Sequence, residues 1–397
     1  MRGLLSHGGF IGWGDCLVLG VPVAGGRGLV SRARVVVVGA AAFGLLTGVA
    51  VWAVAEPACD GHLRLTVAAS PDIAPAVRES GRRWQRQQPR IGGRCVKLRV
   101  RAADPARVAA VAGQKLGGDL DVAGAHVSPS ADPDLPDAWL PDSSSWLARL
   151  RGIDRAAIPA FAPPIAMSPV VLALPEPAAR AGGWPAEQIG WDYVLAGARP
   201  KSSLSVATLE PRRSAVGLSS LLLTGMLATS AAKTAGQDPE TAVLGAYRAL
   251  AAERVATVGE LVGILPRSDR PEELRRRVGA ALLSEHSIRE YDASRPAVPL
   301  AAVYPEPAAP PLDYPYAIMA RVSTGEARAA ARFQSWLLAE PSRRLFTRHG
   351  FRAPDGSGGP DFPTGNGITA EPLPPPREVT PEAVREALRR WTKASAP

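Results

Sequence analysis

The sequence predicts a mixed α/β protein built as two lobes, and two observations lead to this prediction. Short apolar runs typical of buried strands alternate with amphipathic helical segments, which indicates parallel sheets covered by helices. Two further apolar strands, PVVLALP at Pro169–Pro175 and PLAAVYP at Pro299–Pro305, are bounded by prolines and stand where the chain could pass between lobes. The chain has 397 residues, of which 46% are hydrophobic, and this is enough for two lobes with separate cores.

An apolar segment without charged residues, Val35–Ala55, precedes the predicted lobes. Its length of about 20 residues matches one bilayer crossing. Arginines lie before it, within residues 27–34, and acidic residues follow it at Glu56 and Asp60; positive residues stay in the cytoplasm, so everything after Ala55 is expected outside the cell. We expect residues 1–34 to be a cytoplasmic leader, or an overlong start-site assignment. Residues 35–55 are then either a cleaved signal or a single-pass membrane anchor.

Two of the three cysteines lie in the part that we expect to be exported, where disulfides persist. Cys59 stands just before the predicted strand LRLTVAAS, and Cys95 stands just before VKLRV. If these strands are parallel neighbours, both cysteines lie at the same edge of one sheet, which is the geometry of a disulfide. The alternative is a pair of free buried thiols.

The first lobe is expected at residues 57–168, with strands and helices in alternation. Ser70-Pro71-Asp72 has the pattern of a helix start, with an N-cap, a proline at the first helical position and an acid in the first turn. The predicted elements are a strand at His62–Ala69, a helix running to Trp84, a strand at Cys95–Val100, a helix opened by Asp104-Pro105, a short strand at Asp121–Gly124 and a long loop, AWLPDSSSWLARL, at Ala138–Leu150.

The second lobe is expected at residues 169–300, and the chain then returns to the first lobe over residues 301–352. Residues 353–380 are rich in Pro and Gly and are expected to be a linker, followed by a C-terminal helix and tail at 381–397. Besides the two proline-bounded strands, the predicted elements are strands at Leu204–Ala207, Ala280–Ser284 and Asp313–Ile318, and helices from Ala215, at Pro239–Glu253, Glu285–Tyr291, Gly325–Leu338 and Pro341–His349.

An ordered set of phrases resembles one protein family: LRLTVAASPDIAPAV, AWLPDSSSW, SPVVLALP, LSVATLEPRRSAVGL, SEHSIREYDA and a closing helix that ends in HGF. Together they resemble the type II extracellular, or periplasmic-type, solute-binding proteins. The similarity is greatest to actinobacterial members that carry a von Willebrand factor A domain after the binding domain, and it extends over about residues 60–391. The resemblance implies a two-lobed fold with two crossover strands as the hinge, after the N-terminal helix. It also implies a small ligand between the lobes and a permease as partner.

The chain departs from those relatives at its C-terminal end, because it stops at Pro397, where the von Willebrand module should follow. The metal motif of that module, Asp-x-Ser-x-Ser, is not completed at Asp142, since Trp146 stands at the last position. We therefore expect either a gene that encodes the binding domain alone or a truncated chain. A separate von Willebrand factor A protein is then a second candidate partner.

Candidate ligand contacts in the first lobe follow from the placement of helix N-termini, which present unpaired N–H groups. Ser70 stands at the first strand-to-helix junction, and it is either a ligand contact or a plain N-cap. Ser144, Ser145 and Trp146 combine hydroxyls with an indole, which could hold a polar ligand with an apolar face. The alternative is a loop whose serines cap the following helix.

Candidate contacts in the second lobe lie in the phrase VATLEPRRSAVGL. Thr208 ends the strand, Ser214 caps the helix that begins at Ala215, and Arg213 precedes this cap. Arg is suited to carboxylate groups, so this junction could bind an anionic group; otherwise the arginines are solvated. Tyr314 lies near the second crossover strand and is either a ligand contact or a hinge-packing residue.

Several other functions are disfavoured by the sequence. The five His residues have no metal-binding spacing, and no nucleophile elbow is present, so we expect no enzyme and no cofactor. The net charge of +9 comes from scattered arginines without an aromatic-interleaved basic stripe, which argues against nucleic acid. Asp104 at the second helix start would repel an oxyanion such as molybdate or sulfate; the alternative is that Asp104 only caps its own helix. The leading hypothesis is a membrane-tethered, extracytoplasmic binder of a small polar or anionic solute; the alternative is a sensory or adaptor module with the same fold.

Overall fold

The computed structural model describes residues 59–123, 135–159, 161–191, 205–266, 268, 270, 272, 278–320, 322–373 and 379–396. The expected leader and the predicted membrane span, residues 1–34 and 35–55, lie outside the described residues. Within the described chain, two five-stranded sheets with their helices form the two lobes.

The first sheet has the strand order β10-β4-β1-β3-β2. The central strand β1 pairs in parallel with β3 on one side and with β4 on the other, while β10 and β2 are antiparallel edge strands. A tight Gly92-Gly93 turn with positive φ at both glycines joins β2 to β3, as two-residue hairpins require. The strands are β1 His62–Ala69, β2 Arg90–Ile91, β3 Arg94–Ala102, β4 Ala138–Leu140 and β10 Ala317–Ile318.

Helices of the first lobe bury one apolar face each against this sheet. Trp84 on the first helix packs at a ring-centroid distance of 5.0 Å from Phe333 on the returning chain, so the 301–352 segment closes the core of this lobe. The helices are α1 Ala74–Gln85, α2 Pro105–Lys115, α3 Ser145–Arg151, α9 Thr324–Leu338 and α10 Glu340–Arg348.

The second sheet has the order β7-β6-β8-β5-β9, with β6 parallel to both β7 and β8. The two proline-bounded strands are β5 and β9, which pair with each other in antiparallel register, Leu172 opposite Val303. The strands are β5 Val170–Pro175, β6 Ser205–Leu209, β7 Arg254–Val255, β8 Val278–Ser284 and β9 Leu300–Val303. The helices are α4 Glu176–Ala181, α5 Ala215–Thr234, α6 Pro239–Ala252, α7 Val258–Gly263 and α8 Glu285–Ala293.

The hinge consists of two chain segments that run side by side between the sheets. Pro164 forms a β-bridge with Pro315, and Ser168 forms one with Leu312. The first segment leads into β5, and the second leads back from β9. The predicted α/β architecture with two lobes and two crossing segments is confirmed.

Three of the predictions for single elements differ from the structure. The expected strand at Asp121–Gly124 is wrong: residues 121–123 are not a strand, residue 124 is outside the described part, and the fully buried AWL run of β4 pairs with β1 instead. Ser70 is not the N-cap of α1: the helix begins at Ala74 after Ile73, without a side-chain cap bond, and the carbonyl of Ser70 instead accepts from the N–H of Ala74. The strand expected from Asp313 begins only at Ala317, since Tyr314 has φ 36°, outside the extended region.

The Pro/Gly-rich segment that we expected as a linker is described over 353–373, and there it packs on the second lobe. The backbone N–H of Ala302 on the edge strand β9 donates to Asn366 O. Arg352, which is fully buried, forms an ion pair with Glu285 and donates to the carbonyl groups of Gly356, Thr369 and Glu371. This stretch therefore covers an edge strand, which protects it from outside pairing. The last helix, α11, spans Pro381–Ser395.

Cys59 and Cys95 form the predicted disulfide, with a Cα–Cα distance of 5.5 Å. The parallel pairing of β1 with β3 places them at one sheet edge, as the sequence indicated. In the described part of the chain, one helix, α5, is long and apolar enough to cross a membrane, but half of it is buried inside the fold. It packs as a core helix of the second lobe.

Candidate ligand-binding site

The carboxyl end of β1 meets the hinge at a buried polar contact. Asp72 accepts a hydrogen bond from Tyr314 Oη and another from the N–H of Ile73 at 2.9 Å. Tyr314 is fully buried, and its ring packs edge-on against Phe351 with centroids 5.2 Å apart. Ser70, two residues before Asp72, is also buried. Tyr314 therefore joins the hinge to the first lobe.

The loop after β4 brings serines to the hinge. The N–H of Ser144 donates to Asp313 Oδ1 at 2.7 Å. Ser143 Oγ accepts from the N–H of Ser145 at 3.1 Å, just where α3 begins. Trp146 lies behind this loop: it is buried in the core, and its Nε1 donates to Asp142 Oδ1 at 2.8 Å. The serines face the interlobe space, whereas the indole supports them from within.

The junction between β6 and α5 forms the facing part of the second lobe. Ser214 is the N-cap of α5, and its Oγ accepts from the N–H of Gly217 at 3.3 Å. Gly217 is required here, because a Cβ would lie 2.2 Å from Leu209 O. Thr208 is fully buried within β6. Ser214 thus has the capping role that the sequence indicated.

The arginines of this junction contact the first lobe. Arg213 Nη2 lies 3.3 Å from Asp104 Oδ2, and Arg212 Nη1 lies 3.6 Å from Asp121 Oδ2. The buried Arg149 of α3, in the first lobe, also donates a hydrogen bond to the backbone oxygen of Arg212 at 2.9 Å. These contacts bridge the lobes directly. Asp104 also caps α2 by accepting from Ala106 N, so one carboxylate serves both contacts.

A cavity of about 420 Å³ lies between the lobes. It is bounded by the serine loop and α3 of the first lobe, by α5 of the second, by the hinge segment and by the start of α11. Its walls are mostly aliphatic and proline side chains, with Phe161, 76% exposed, at the rim. The polar residues that line it are Ser143, Ser144, Ser145, Arg151, Ser219 and Asp313.

Burial changes the protonation of the acids around this cavity. Burial, together with the neighbouring Asp72 carboxylate, raises the pKa of Asp142 to about 7. Burial also raises the pKa of Asp313, against hydrogen bonds from Ser144 and Ser143 that lower it. Burial next to Asp72 raises the pKa of Tyr314, so its hydroxyl stays a donor. Asp142 and Asp313 therefore keep their protons to a higher pH than ordinary aspartates do.

The structure brings some of the predicted site residues together and separates others. Ser144 and Ser145 line the cavity, whereas Trp146, Thr208 and Tyr314 lie in the core or hinge. Arg213 belongs to the interlobe contact, Ser214 caps α5 within the second lobe, and Ser70 is buried at the end of β1. In the described part of the chain, none of the three lines the cavity.

Sequence reasoning missed Asp313, Ser219 and the wall formed by Val379 and Pro381. Asp313 directly precedes the predicted hinge residue Tyr314, and this position in the sequence could have indicated that Asp313 lies at the site. No comparable local pattern marks the others, since α5 and α11 reach the cavity only through tertiary packing.

The two lobes, the crossing segments and an interlobe cavity define a type II solute-binding protein. Over residues 65–352 the chain matches the family described as bacterial extracellular solute-binding protein. This match spans more than half of the chain, so the protein belongs to that family, whose members bind solutes outside the cytoplasm. A comparison with curated protein sequences gives no match.

Solved structures show the same fold at low sequence identity. A periplasmic thiamin-binding protein aligns with a TM-score of 0.54 at 13% identity, over 84% of this chain and 96% of that one. Iron-bound HitA from Pseudomonas aeruginosa aligns with a TM-score of 0.52 at 15% identity, over 84% and 100%. An extracellular solute-binding protein from Bordetella parapertussis aligns with a TM-score of 0.52 at 13% identity, over 84% and 99%. At such identities the likeness concerns the fold alone.

Proposed function

We propose that the protein is a membrane-tethered, extracytoplasmic solute-binding protein whose ligand occupies the interlobe cavity. The observation that carries this proposal is the cavity itself, about 420 Å³ in volume and bounded by both lobes and the hinge. Its volume lies in the range of about 300–1,000 Å³ that is typical of small-molecule sites. Rotation of the lobes about the hinge would admit and enclose the ligand.

The lining favours a ligand with hydrogen-bond donors and an apolar face. Asp313 and the serine hydroxyls can accept hydrogen bonds from hydroxyl or ammonium groups, and the proline-rich walls suit a ring or aliphatic face. An oxyanion fits less well, since the ionised form of Asp313 would repel it. The arginines that could have bound an anion, Arg212 and Arg213, are directed at carboxylates of the first lobe.

Uptake through an ABC-type permease is the function we favour, because the family is one of extracellular solute-binding proteins. The charge-free segment at residues 35–55 and the arginines before it support a membrane tether. One observation supports the alternative, a cell-surface sensory or adaptor module, with a separate von Willebrand factor A protein as its partner. The last helix, α11, lies beyond the family match and yet packs on both lobes. A helix in contact with both lobes restrains their rotation about the hinge, and transport depends on this rotation.

Thermal-shift titration of residues 57–397 tests the proposal, since a ligand that binds only the folded state raises the melting temperature by mass action. The panel contains polyols, sugars, amino acids and amines, with sulfate, phosphate and molybdate as the opposing class. We expect a donor-bearing compound to bind and the oxyanions not to bind. Stabilisation by oxyanions alone, or by no compound, would contradict the proposal.

Substitutions of residues that line the cavity then test where the ligand binds. Asp313→Asn should weaken binding about ten- to a hundredfold, because hydrogen bonds to charged groups contribute about 1.5–3 kcal/mol. Ser145→Ala should weaken it about two- to tenfold. Ser335→Ala is the matched control, since its hydroxyl bonds Ala331 O within α9, away from the cavity. Wild-type affinity in both cavity variants would place the ligand elsewhere.

A further inference from the structure

The C-terminal helix α11, Pro381–Ser395, is held on the second lobe by its apolar face. Its residues Val384, Ala387, Trp391 and Ala394 are all buried. They share one hydrophobic cluster with side chains of α5 and α6, among them Leu221. Burying an amphipathic face in this way is what stabilises a helix of this length. The helix therefore moves with the second lobe.

Trp391 is the anchor of this contact. It is fully buried, its ring lies edge-on to Tyr247 with centroids 6.3 Å apart, and its Nε1 donates to Glu210 Oε1 at 2.9 Å. A second polar contact joins Arg390 to Glu240 of α6 at 2.7 Å. These contacts all lie on the second lobe.

The same helix reaches the first lobe at α3. A methyl group placed on Gly152, where α3 ends, would lie 3.9 Å from Arg385 Nη1, so the guanidinium lies beside the C-terminal end of that helix, while its Nη2 pairs with Glu382 at 2.8 Å. A cation is favoured at this end. Val379 and Pro381, at the start of α11, line the interlobe cavity together with the serine loop.

We propose that α11 is an interlobe strap, fixed to the second lobe by Trp391 and resting on α3 of the first lobe, so that the cavity opens only when this helix leaves α3. The strap would thus regulate access to the solute site, and in this respect the proposal rests on the proposed function. Lobe opening must separate α3 from α5. The contact with α3 is the one that yields, because the buried apolar face of α11 belongs to the second lobe.

Glu210 connects the strap to the interlobe ion pairs. Besides Trp391 Nε1, this carboxylate holds Arg212 Nε at 2.9 Å and Arg254 Nε at 3.3 Å. Arg212 in turn reaches Asp121 of the first lobe. Loss of the strap would therefore also loosen the arginine that bridges the lobes.

Hydrogen exchange of the full-length protein, without added ligand, tests the strap. Arg385→Glu replaces the cation beside the end of α3 with an anion. We expect amide exchange in α3 to accelerate about two- to tenfold, with α5 and α6 unchanged. Arg389→Glu is the matched control, because it makes the same charge change on the same helix at a side chain that is 73% exposed; α3 should keep wild-type exchange.

Trp391→Phe gives a second, independent reading, because it removes the bond to Glu210 and keeps an aromatic ring in place. Exchange should accelerate in α11 and in α3 alike. Equal α3 exchange in Arg385→Glu and Arg389→Glu, or acceleration confined to α11 in Trp391→Phe, would overturn the strap. These rates are measured without ligand, so a failed ligand screen would count against the proposed function and would leave the test of the strap unaffected.

Discussion

The half-buried carboxyl group of Asp142 should make the protein less stable as pH rises. Its pKa is raised from 3.8 to about 7, chiefly by burial. Between these values the folded state holds a proton that the unfolded state has lost, so stability falls with rising pH. One pKa unit corresponds to about 1.36 kcal/mol, and the shift therefore corresponds to a loss of about 4 kcal/mol between about pH 4 and pH 8.

Asp142→Asn isolates this effect, because the amide does not titrate and its oxygen can still accept from Trp146 Nε1. Urea unfolding of wild type and variant across this pH range measures the difference in the free energy of unfolding, and groups elsewhere cancel. As pH rises, the free energy of unfolding of the variant should increase relative to that of wild type, by about 4 kcal/mol at the alkaline end of the range. Parallel stability profiles for the two proteins would refute the reasoning.

Three further predictions concern stability. Replacing Cys59 and Cys95 together by Ser should cost up to about 4 kcal/mol, given the 36-residue separation of the cysteines, and an unchanged denaturation midpoint would contradict the disulfide. Arg352→Met should cost about 3–5 kcal/mol because it leaves Glu285 buried without its partner, and adding Glu285→Gln should restore part of this loss in a double-mutant cycle. Ser214→Ala should cost about 1 kcal/mol through loss of the α5 cap; a melting temperature equal to that of wild type would argue against this capping role.

Much of the fold follows from patterns within short stretches of chain. The alternation of apolar strands and amphipathic helices predicts the two α/β lobes, and the cysteines before two neighbouring strands predict the disulfide. Ser214 could be assigned as a cap because its partner, Gly217, is three residues away. The three-residue strand β4 could not be predicted, since it is too short to show a period and depends on pairing with β1.

The candidate site was predicted only in part. The serine loop was found from its composition beside a helix start. The role of Trp146 could not be predicted, because an indole near serines can face either a ligand or the core. Only the packing of the folded chain decides between these two positions. Asp313 joins the site through the N–H of Ser144, a partner 169 residues away in the chain.

The sequence by itself determined the fold class and most of the elements, because these depend on hydrophobic periodicity, caps and turns that act between near neighbours. The type of protein was indicated by the resemblance of its ordered phrases to one family. The tertiary structure decided which charges meet. Arg213 and Asp104 pair across the lobes, Arg352 and Glu285 pair in the core, and Trp391 reaches Glu210 from the far end of the chain. Such contacts form only when distant segments pack together, and the energy of a charge depends on the burial that this packing creates.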